Sequence, residues 1–294
     1  MHVLITGGTG FIGQALCERL MADGHRLIVV TRRTLADTEQ CRYVNNLGSV
    51  DPGETVDAVI NLAGASLADR RWTPAYKREI FASRLDTTKA LLGWIQRLEN
   101  KPQVLLSASA IGYYGHHGDE ELDEAGGITP GFSQDLCERW EKAALSASDL
   151  GVRVSVMRLG VVLDHGGGAF PRMAGPFNFG VANWLGAGQQ WLSWVHRRDV
   201  VRAIDFLMQH EELDGAFNLT APQAVTSRGF CDAMKRHKRT LVSAPVPAVV
   251  MRLMVGEMAE ELLLNGQRVV PAALQQAGFT FEFPDLDAAL ADIL

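Results

Sequence analysis

The opening of the chain constrains its fold more than any other stretch. His2-Val3-Leu4-Ile5-Thr6 is a short apolar run, and Gly7-Gly8-Thr9-Gly10-Phe11-Ile12-Gly13 follows it directly. A helical pattern then runs from Phe11 to Met21, with Gly24 just past its end. Gly8, Gly10 and Gly13 satisfy G-x-G-x-x-G, and Gly7, Gly10 and Gly13 satisfy G-x-x-G-x-x-G. In such a turn one glycine permits the tight bend, one lets the backbone reach a pyrophosphate, and one lets helix pack on strand. The free N–H groups and positive end of the helix hold the anion. Three glycines alone are a weak signal. A strand before and a helix after supply the required context, so the chain is expected to bind a dinucleotide.

The same alternation continues. Arg26–Val30 and Asp57–Leu62 read as strands. Thr73 followed by Pro74 is a cap and first-turn signature opening a long helix to about Leu98. That helix is expected to bury Phe81, Leu85, Thr88, Leu92 and Ile95 on one face. Val104–Ser107 is the next strand, Ser133–Ser146 a helix, and Val152–Leu163 one continuous strand. Strands that are apolar throughout and separated by helices imply a parallel sheet covered on both faces. The expected fold class is α/β, a Rossmann-type doubly wound parallel sheet with a smaller C-terminal lobe. Residues 1–163, with returns from about 191–221, are assigned to the nucleotide-binding domain. Residues 164–294 supply substrate-side loops and a small, mostly helical lobe. Seven glycines fall among the 25 residues 164–188, mixed with Phe170, Phe177, Phe179 and Trp184, a composition suited to a ligand-covering loop. Asp199–Gln209 reads as a helix capped by Asp199, and Ala244–Pro247 as a connector.

Composition removes several classes. Of 294 residues, 47% are hydrophobic and 21% charged, which argues against global disorder. The net charge of −6 lacks the concentrated basic surface of a nucleic-acid binder. No apolar run approaches a membrane span, and no secretory signal is visible, so no membrane partner is expected. Cys17, Cys41, Cys137 and Cys231 form no C-x-x-C pair and have no metal-ligand spacing. A reducing, cytoplasmic location is expected, with Cys17 and Cys137 as buried apolar residues.

The end of the second strand chooses between dinucleotides. An NAD site usually carries an acid there to bond the ribose 2′-hydroxyl. This chain has Thr31-Arg32-Arg33, with no acid until Asp37. Arginines attract a 2′-phosphate and bond it in a fork. NADP is therefore expected over NAD.

At this point the chain resembles the extended short-chain dehydrogenase/reductases, the NAD(P)-dependent epimerase/dehydratase family. Thr6–Gly13, Asn61-Leu62-Ala63-Gly64, Ser107–Gly115 and Trp194–Val200 carry the resemblance. Within it the chain looks most like the atypical, YfcH-like epimerase-family proteins. Lys77–Ile80 with Ser83–Leu85, Arg158–Leu163, Gly266–Pro271 and Ala277–Phe279 carry that closer match. The resemblance implies that Leu62, Ala63 and Gly64 line the cofactor, that Glu79 and Arg84 can face it together, and that Ser107 lies beside it. It also implies a monomer or a homodimer paired through the two long helices, and a small-molecule substrate.

The family's acid/base machinery does not carry over. Its Tyr-x-x-x-Lys pair, in which lysine tunes a tyrosine that moves the proton, falls here on Phe132 and Leu136. The serine position falls on Ala110, with Ser109 beside it. The remaining candidates for catalysis are Ser109, Tyr113, Tyr114 and His196, with Trp184, Trp191 and Trp194 as a substrate floor. Two readings follow: an NADP-dependent oxidoreductase or epimerase acting on a small polar compound such as a nucleotide sugar, or a non-enzymatic NADP-binding sensor or partner-binding protein that has lost the Tyr-x-x-x-Lys pair.

Overall fold

The computed structural model describes residues 1–294. The first half runs β1 (His2–Thr6), α1 (Phe11–Ala22), β2 (Arg26–Val30), β3 (Cys41–Val44), β4 (Ala58–Asn61), α2 (Pro74–Arg97) and β5 (Val104–Ala110). A 3-10 turn at Ile111–Tyr114 leads to β6 (Glu121–Leu122), α3 (Phe132–Leu145), β7 (Arg153–Leu159) and β8 (Val161–Leu163). Next come α4 (Phe170–Ala174), β9 (Val181–Leu185), β10 (Trp191–Leu192), β11 (Trp194–His196), α5 (Arg197–Gln209) and β12 (Gly215–Leu219). The chain closes with β13 (Val225–Thr226), α6 (Ser227–His237), β14 (Val242–Val246), α7 (Ala248–Val255), β15 (Arg268–Val269) and a final helix at Leu286–Ile293.

Seven strands form one sheet in the order β12-β7-β5-β4-β1-β2-β3, every neighbouring pair parallel. This is the doubly wound α/β fold that the apolar strands imply. Val3, Leu4 and Ile5 are each fully buried because helices cover both faces. Leu16 and Leu20 of α1 pack with Val200, Ile204 and Leu207 of α5 on one face. Leu91, Trp94 and Ile95 of α2 pack with Ala144 of α3 on the other. From β1 the chain goes to β2 and β3 on one side and to β4, β5, β7 and β12 on the other. The sheet therefore opens its crevice at the carboxyl ends of β1 and β4, where such sheets bind ligands. A separate apolar core, with Phe170, Trp194, Phe230, Phe283 and Leu290, unites the later segments.

Four local expectations are corrected. The buried face of α2 is Tyr76, Ile80, Arg84, Thr88, Leu91, Trp94 and Ile95. Phe81, Leu85 and Leu92 are only half-buried, because α2 packs on α3 as well as on the sheet. The stretch from Val152 to Leu163 is two strands rather than one. Gly160 separates them where the backbone passes Ser193, and a Cβ there would stand 2.7 Å from the Ser193 carbonyl oxygen. Residues 244–247 are not a mere connector, since β14 pairs in parallel with β9. Asp199 does not cap α5. His196 does, and the Asp199 carboxylate accepts from the Glu282 and Phe283 amides at 2.8 and 2.9 Å, tying the C-terminal segment to the helix.

Candidate functional site

The turn after β1 has the close approaches that its glycines imply. Gly7 sits at φ +74°, and a Cβ on it would lie 2.6 Å from the Leu62 carbonyl carbon. A Cβ on Gly13 would lie 2.2 Å from Gly7 O. The Gly10 amide bonds Gly7 O at 2.9 Å, and Gln14 N–H begins the helical ladder by bonding Gly10 O at 3.0 Å. The N–H groups of Phe11, Ile12 and Gly13 have no backbone or side-chain acceptor, and Gly10 gives α1 no side-chain cap. Three unpaired donors at the positive end of a helix are the arrangement that suits an anion, and make this turn a candidate site. Segment 164–168 stands beside it. A Cβ on Gly167 or Gly168 would lie 2.8 Å from the Phe11 ring, and Arg197, paired with Asp164 at 2.6 Å, lies 4.9 Å from that ring's centroid.

At the end of β2, Thr31 is buried, with Oγ1 3.4 Å from that of Thr9. Arg32 and Arg33 are exposed and take part in no ion pair among those of the chain. Asp37, the nearest acid in sequence, accepts the Tyr43 amide at 2.8 Å. Two guanidinium groups without an ion-pair partner thus stand at the end of β2.

Leu62, Ala63 and Gly64 leave β4 beside the glycine turn. Arg84 lies directly beneath Gly64, where a Cβ would stand 3.0 Å from Arg84 Cζ. The Arg84 guanidinium bonds Ile80 O at 3.2 Å, lies 5.2 Å from the Trp140 ring centroid and has no carboxylate partner. Burial pulls its pKa below the ordinary arginine value. Glu79 does not join it. Five positions along a helix are about 140° apart, and Glu79 is exposed, 3.5 Å from Arg70. Ser107 is buried and accepts from Asn61 Nδ2 at 3.2 Å, in a network that also holds Thr6 and Thr88.

Most of the acid/base candidates are already committed. Ser109 Oγ donates to Glu141 Oε1 at 2.6 Å. Tyr114 is fully buried, donates to Asn218 Oδ1 at 2.7 Å and accepts from Arg158 at 3.0 Å. Burial pushes its hydroxyl up to about 12, against the pull of Arg158. Tyr113 is half-buried, its ring centroid 3.5 Å from the Arg158 guanidinium. Trp194 is core and bonds Gln223 O at 2.9 Å. Trp184 is covered by Arg228 at 4.1 Å. Trp191 lines a cavity of about 760 Å³ with His117, Asp119, Gln190, Arg228 and Asn265. Phe132 and Leu136, in place of the family's pair, lie among Trp72, Tyr76, Ile80 and Met258.

His196 is a structural residue. Its Nδ1 accepts the Arg198 amide at 3.1 Å, and its ring stacks on Phe283 at 3.9 Å. Burial holds its pKa below the ordinary 6.5, opposed by Asp292, whose carboxylate is 3.3 Å from Nε2 but outside hydrogen-bond geometry. The sign follows from linkage. The unfolded chain takes up the proton first, so this contribution is complete above about pH 6.5 and is lost as the pH falls toward the folded value. His196→Asn keeps a cap but cannot titrate. The urea midpoint of the variant should depend less on pH than that of the parent below about pH 6.5. Parallel curves would refute the assignment.

Sequence reasoning missed the groups that organise this end of the sheet. Arg158 and Glu141 are both buried and form two hydrogen bonds, 3.0 and 2.9 Å. Glu124 accepts from the amides of Asn218 and Ala273 at 2.9 and 3.0 Å, joining β12 to the C-terminal segment. An arginine inside an apolar strand was the available signal, since a buried cation needs a partner.

The NAD dependent epimerase/dehydratase family matches residues 3–220, and a domain of unknown function, DUF1731, matches residues 246–293. An epimerase family protein of Mycobacterium bovis is 38% identical over 98% of this chain and 96% of its own length. One from Staphylococcus saprophyticus is 38% identical over 100% of this chain and 99% of its own. The crystal structure of human epimerase family protein SDR39U1 with NADPH superposes with a TM-score of 0.89 at 31% identity, covering 100% of this chain and 99% of that one. No helix is long and apolar enough to cross a membrane. The chain therefore belongs to the NAD-dependent epimerase/dehydratase family.

Proposed function

We propose that the chain binds NADP(H) and acts as an oxidoreductase or epimerase on a small polar carbonyl or hydroxyl compound, nucleotide sugars included. The observation that carries this reading is the set of three unpaired amides at the start of α1, with two unpaired arginines at the end of β2. A dinucleotide fits these residues. The amides of Phe11, Ile12 and Gly13 would hold its pyrophosphate, and Arg32 and Arg33 its 2′-phosphate. Leu62, Ala63, Gly64 and Arg84 would line the nicotinamide half, and a bound nicotinamide would supply hydride chemistry. NADPH in the human relative's crystal structure supports the same reading.

In this reading residues 1–163, with the returns at 191–221, form the cofactor side, and residues 164–294 the substrate side. Gly167 and Gly168, packed on Phe11, would exclude water from the anion. The four cysteines are free and buried, which fits a reducing cytoplasm. A monomer or homodimer suffices for this chemistry. The second reading, a non-enzymatic NADP(H) sensor, is favoured by one observation: Ser109 is bonded to Glu141 and the tyrosine–lysine pair is replaced.

Fluorescence titration tests the cofactor. NADPH should bind well ahead of NADH. Arg32→Ala should weaken NADPH by about 1.5–3 kcal/mol, a charged hydrogen bond's worth, and leave NADH unchanged. Equal affinity for the two cofactors would refute it. NADPH oxidation by a panel of carbonyl compounds separates enzyme from sensor.

A further inference from the structure

Thirteen large apolar side chains are exposed, and eight of them fall in two neighbouring segments, 179–181 and 241–254. The Gly180 carbonyl accepts the Leu241 and Val242 amides at 2.7 and 3.2 Å, and β14 pairs in parallel with β9, so the two segments form one surface. Phe179 and Leu241 are 85% and 78% exposed. α7 follows β14 directly, and none of its eight residues is buried. Val249, Val250, Leu253 and Met254 fall within about 140° of the helix circumference. This apolar side faces solvent, with Leu253 and Met254 72% and 66% exposed. Val255, at the end of α7, packs against the core that holds Trp72 and Tyr76. An apolar surface of this kind marks a contact with another body.

The charge along this segment has one sign. From Ala233 to Gly256 there is no aspartate or glutamate, while Lys235, Arg236, Lys238, Arg239 and Arg252 all fall there, on a chain of net charge −6. Arg236 pairs with Asp287, Arg252 with Glu260, and Lys235 stands 3.9 Å from Asp232. Lys238 and Arg239, just before Leu241, take part in no ion pair among those of the chain. Exposure and charge together choose the occupant. A second copy meeting this face about a two-fold axis would present the same basic run from both sides, and like charges set against each other are costly. Side chains this exposed stand proud of the surface and offer a peptide no groove. A bilayer needs no complementary shape. It takes apolar side chains into the acyl boundary and basic ones against anionic headgroups. The sequence reading excludes a membrane because it finds no spanning run; lying on the surface needs none.

We propose that the face made by β14, α7 and the turn at Phe179 seats the protein on an anionic lipid bilayer. Phe179, Leu241, Leu253 and Met254 enter the boundary between headgroups and acyl chains, and Lys238 and Arg239 lie against the anionic headgroups. The contact is peripheral, since no helix is long and apolar enough to cross a membrane. It is independent of the cofactor reading, because none of these residues belongs to the glycine turn, the end of β2 or the segment after β4.

The test sediments the full chain with vesicles of phosphatidylcholine alone and of equal parts phosphatidylcholine and phosphatidylserine. The protein should pellet with the mixed vesicles and stay in solution with the neutral ones. It should be released as salt rises toward about 1 M, where the screening length is about 3 Å. Lys238→Gln/Arg239→Gln should weaken binding about 20–30-fold, at roughly fivefold per basic side chain. Leu253→Ser/Met254→Ser should weaken it about tenfold or more. These four side chains lie outside the apolar cores, so the urea midpoints of both variants should match that of the parent. Phe179→Trp should add emission that brominated acyl chains quench, which reports insertion and not charge attraction alone. Failure to pellet with the mixed vesicles would overturn the proposal, as would binding that survives both double variants, or a Phe179→Trp chain quenched no more than the parent. A dimer that Leu253→Ser/Met254→Ser dissociates, with vesicles left unbound, would give the face to a second copy. An acidic protein retained by the parent and lost by Lys238→Gln/Arg239→Gln, again with vesicles unbound, would give it to a protein partner. Either result overturns the lipid assignment.

Discussion

Replacing Arg158 with methionine is expected to lower the unfolding free energy by about 3–5 kcal/mol, the usual cost of stranding one member of a buried ion pair. Arg158 and Glu141 are only 4% and 5% exposed, so neither charge has water to fall back on. The guanidinium meets Glu141 through Nε and Nη2 at 3.0 and 2.9 Å. Its Nη1 also reaches the Tyr114 hydroxyl and the Glu124 carbonyl, each at 3.0 Å. Burial works to lower the Arg158 pKa, but the two bonds to Glu141 outweigh it and hold the group above its ordinary value. Removing the cation leaves a buried carboxylate with only Ser109 Oγ as donor. The double variant Arg158→Met/Glu141→Leu should recover much of the loss, because no charge is then stranded. Urea unfolding of the parent, both single variants and the double variant decides it. If the double variant loses as much as the sum of the singles, the pair is not the cause.

That network also marks where the sequence stops being readable. The elements set by local chemistry were legible. The Thr73 hydroxyl accepts the Tyr76 amide at 3.1 Å and Pro74 opens α2, as the cap signature implies. Gly24 takes φ +82° just past α1. What was missed depends on partners far along the chain. β3 has four residues, two of them Arg42 and Tyr43, and it is a strand only because β2 lies beside it. The inner face of α2 was misplaced because Arg84, a cation, sits in the buried stripe where an apolar residue was looked for. The glycine turn and Thr31–Arg33 lie within one β-α-β unit, so the local geometry on which the cofactor proposal rests was readable as a string. Glu141, Arg158, Asn218 and Glu124 meet only after four segments fold together, and Glu261 reaches α3 across 128 residues. No local period announces such contacts.

Gly13→Ala should remove NADPH binding to the extent of about a hundredfold, roughly 3 kcal/mol, and destabilise the chain by about 1–3 kcal/mol, as overpacking does. The new methyl would stand 2.2 Å from Gly7 O and 2.6 Å from Gly8 Cα. Both are backbone atoms, so no side chain can swing aside. Either α1 moves away from the turn or the turn moves toward β4, and Gly7 leaves no room for the second, since its own Cα position already abuts Leu62. A displaced helix start no longer aims the amides of Phe11, Ile12 and Gly13 at one point, which is what would hold the pyrophosphate in the proposed reading. Gly10→Ala is the informative contrast. A methyl there meets only Gly7 O, at 3.1 Å, so the fold should tolerate it, while the face open to the ligand is filled. Urea unfolding and NADPH fluorescence titration should therefore separate the two variants. Gly13→Ala should lose stability and affinity together, and Gly10→Ala mainly affinity. A Gly13→Ala chain that binds NADPH as the parent does would mean that the dinucleotide lies somewhere other than the start of α1.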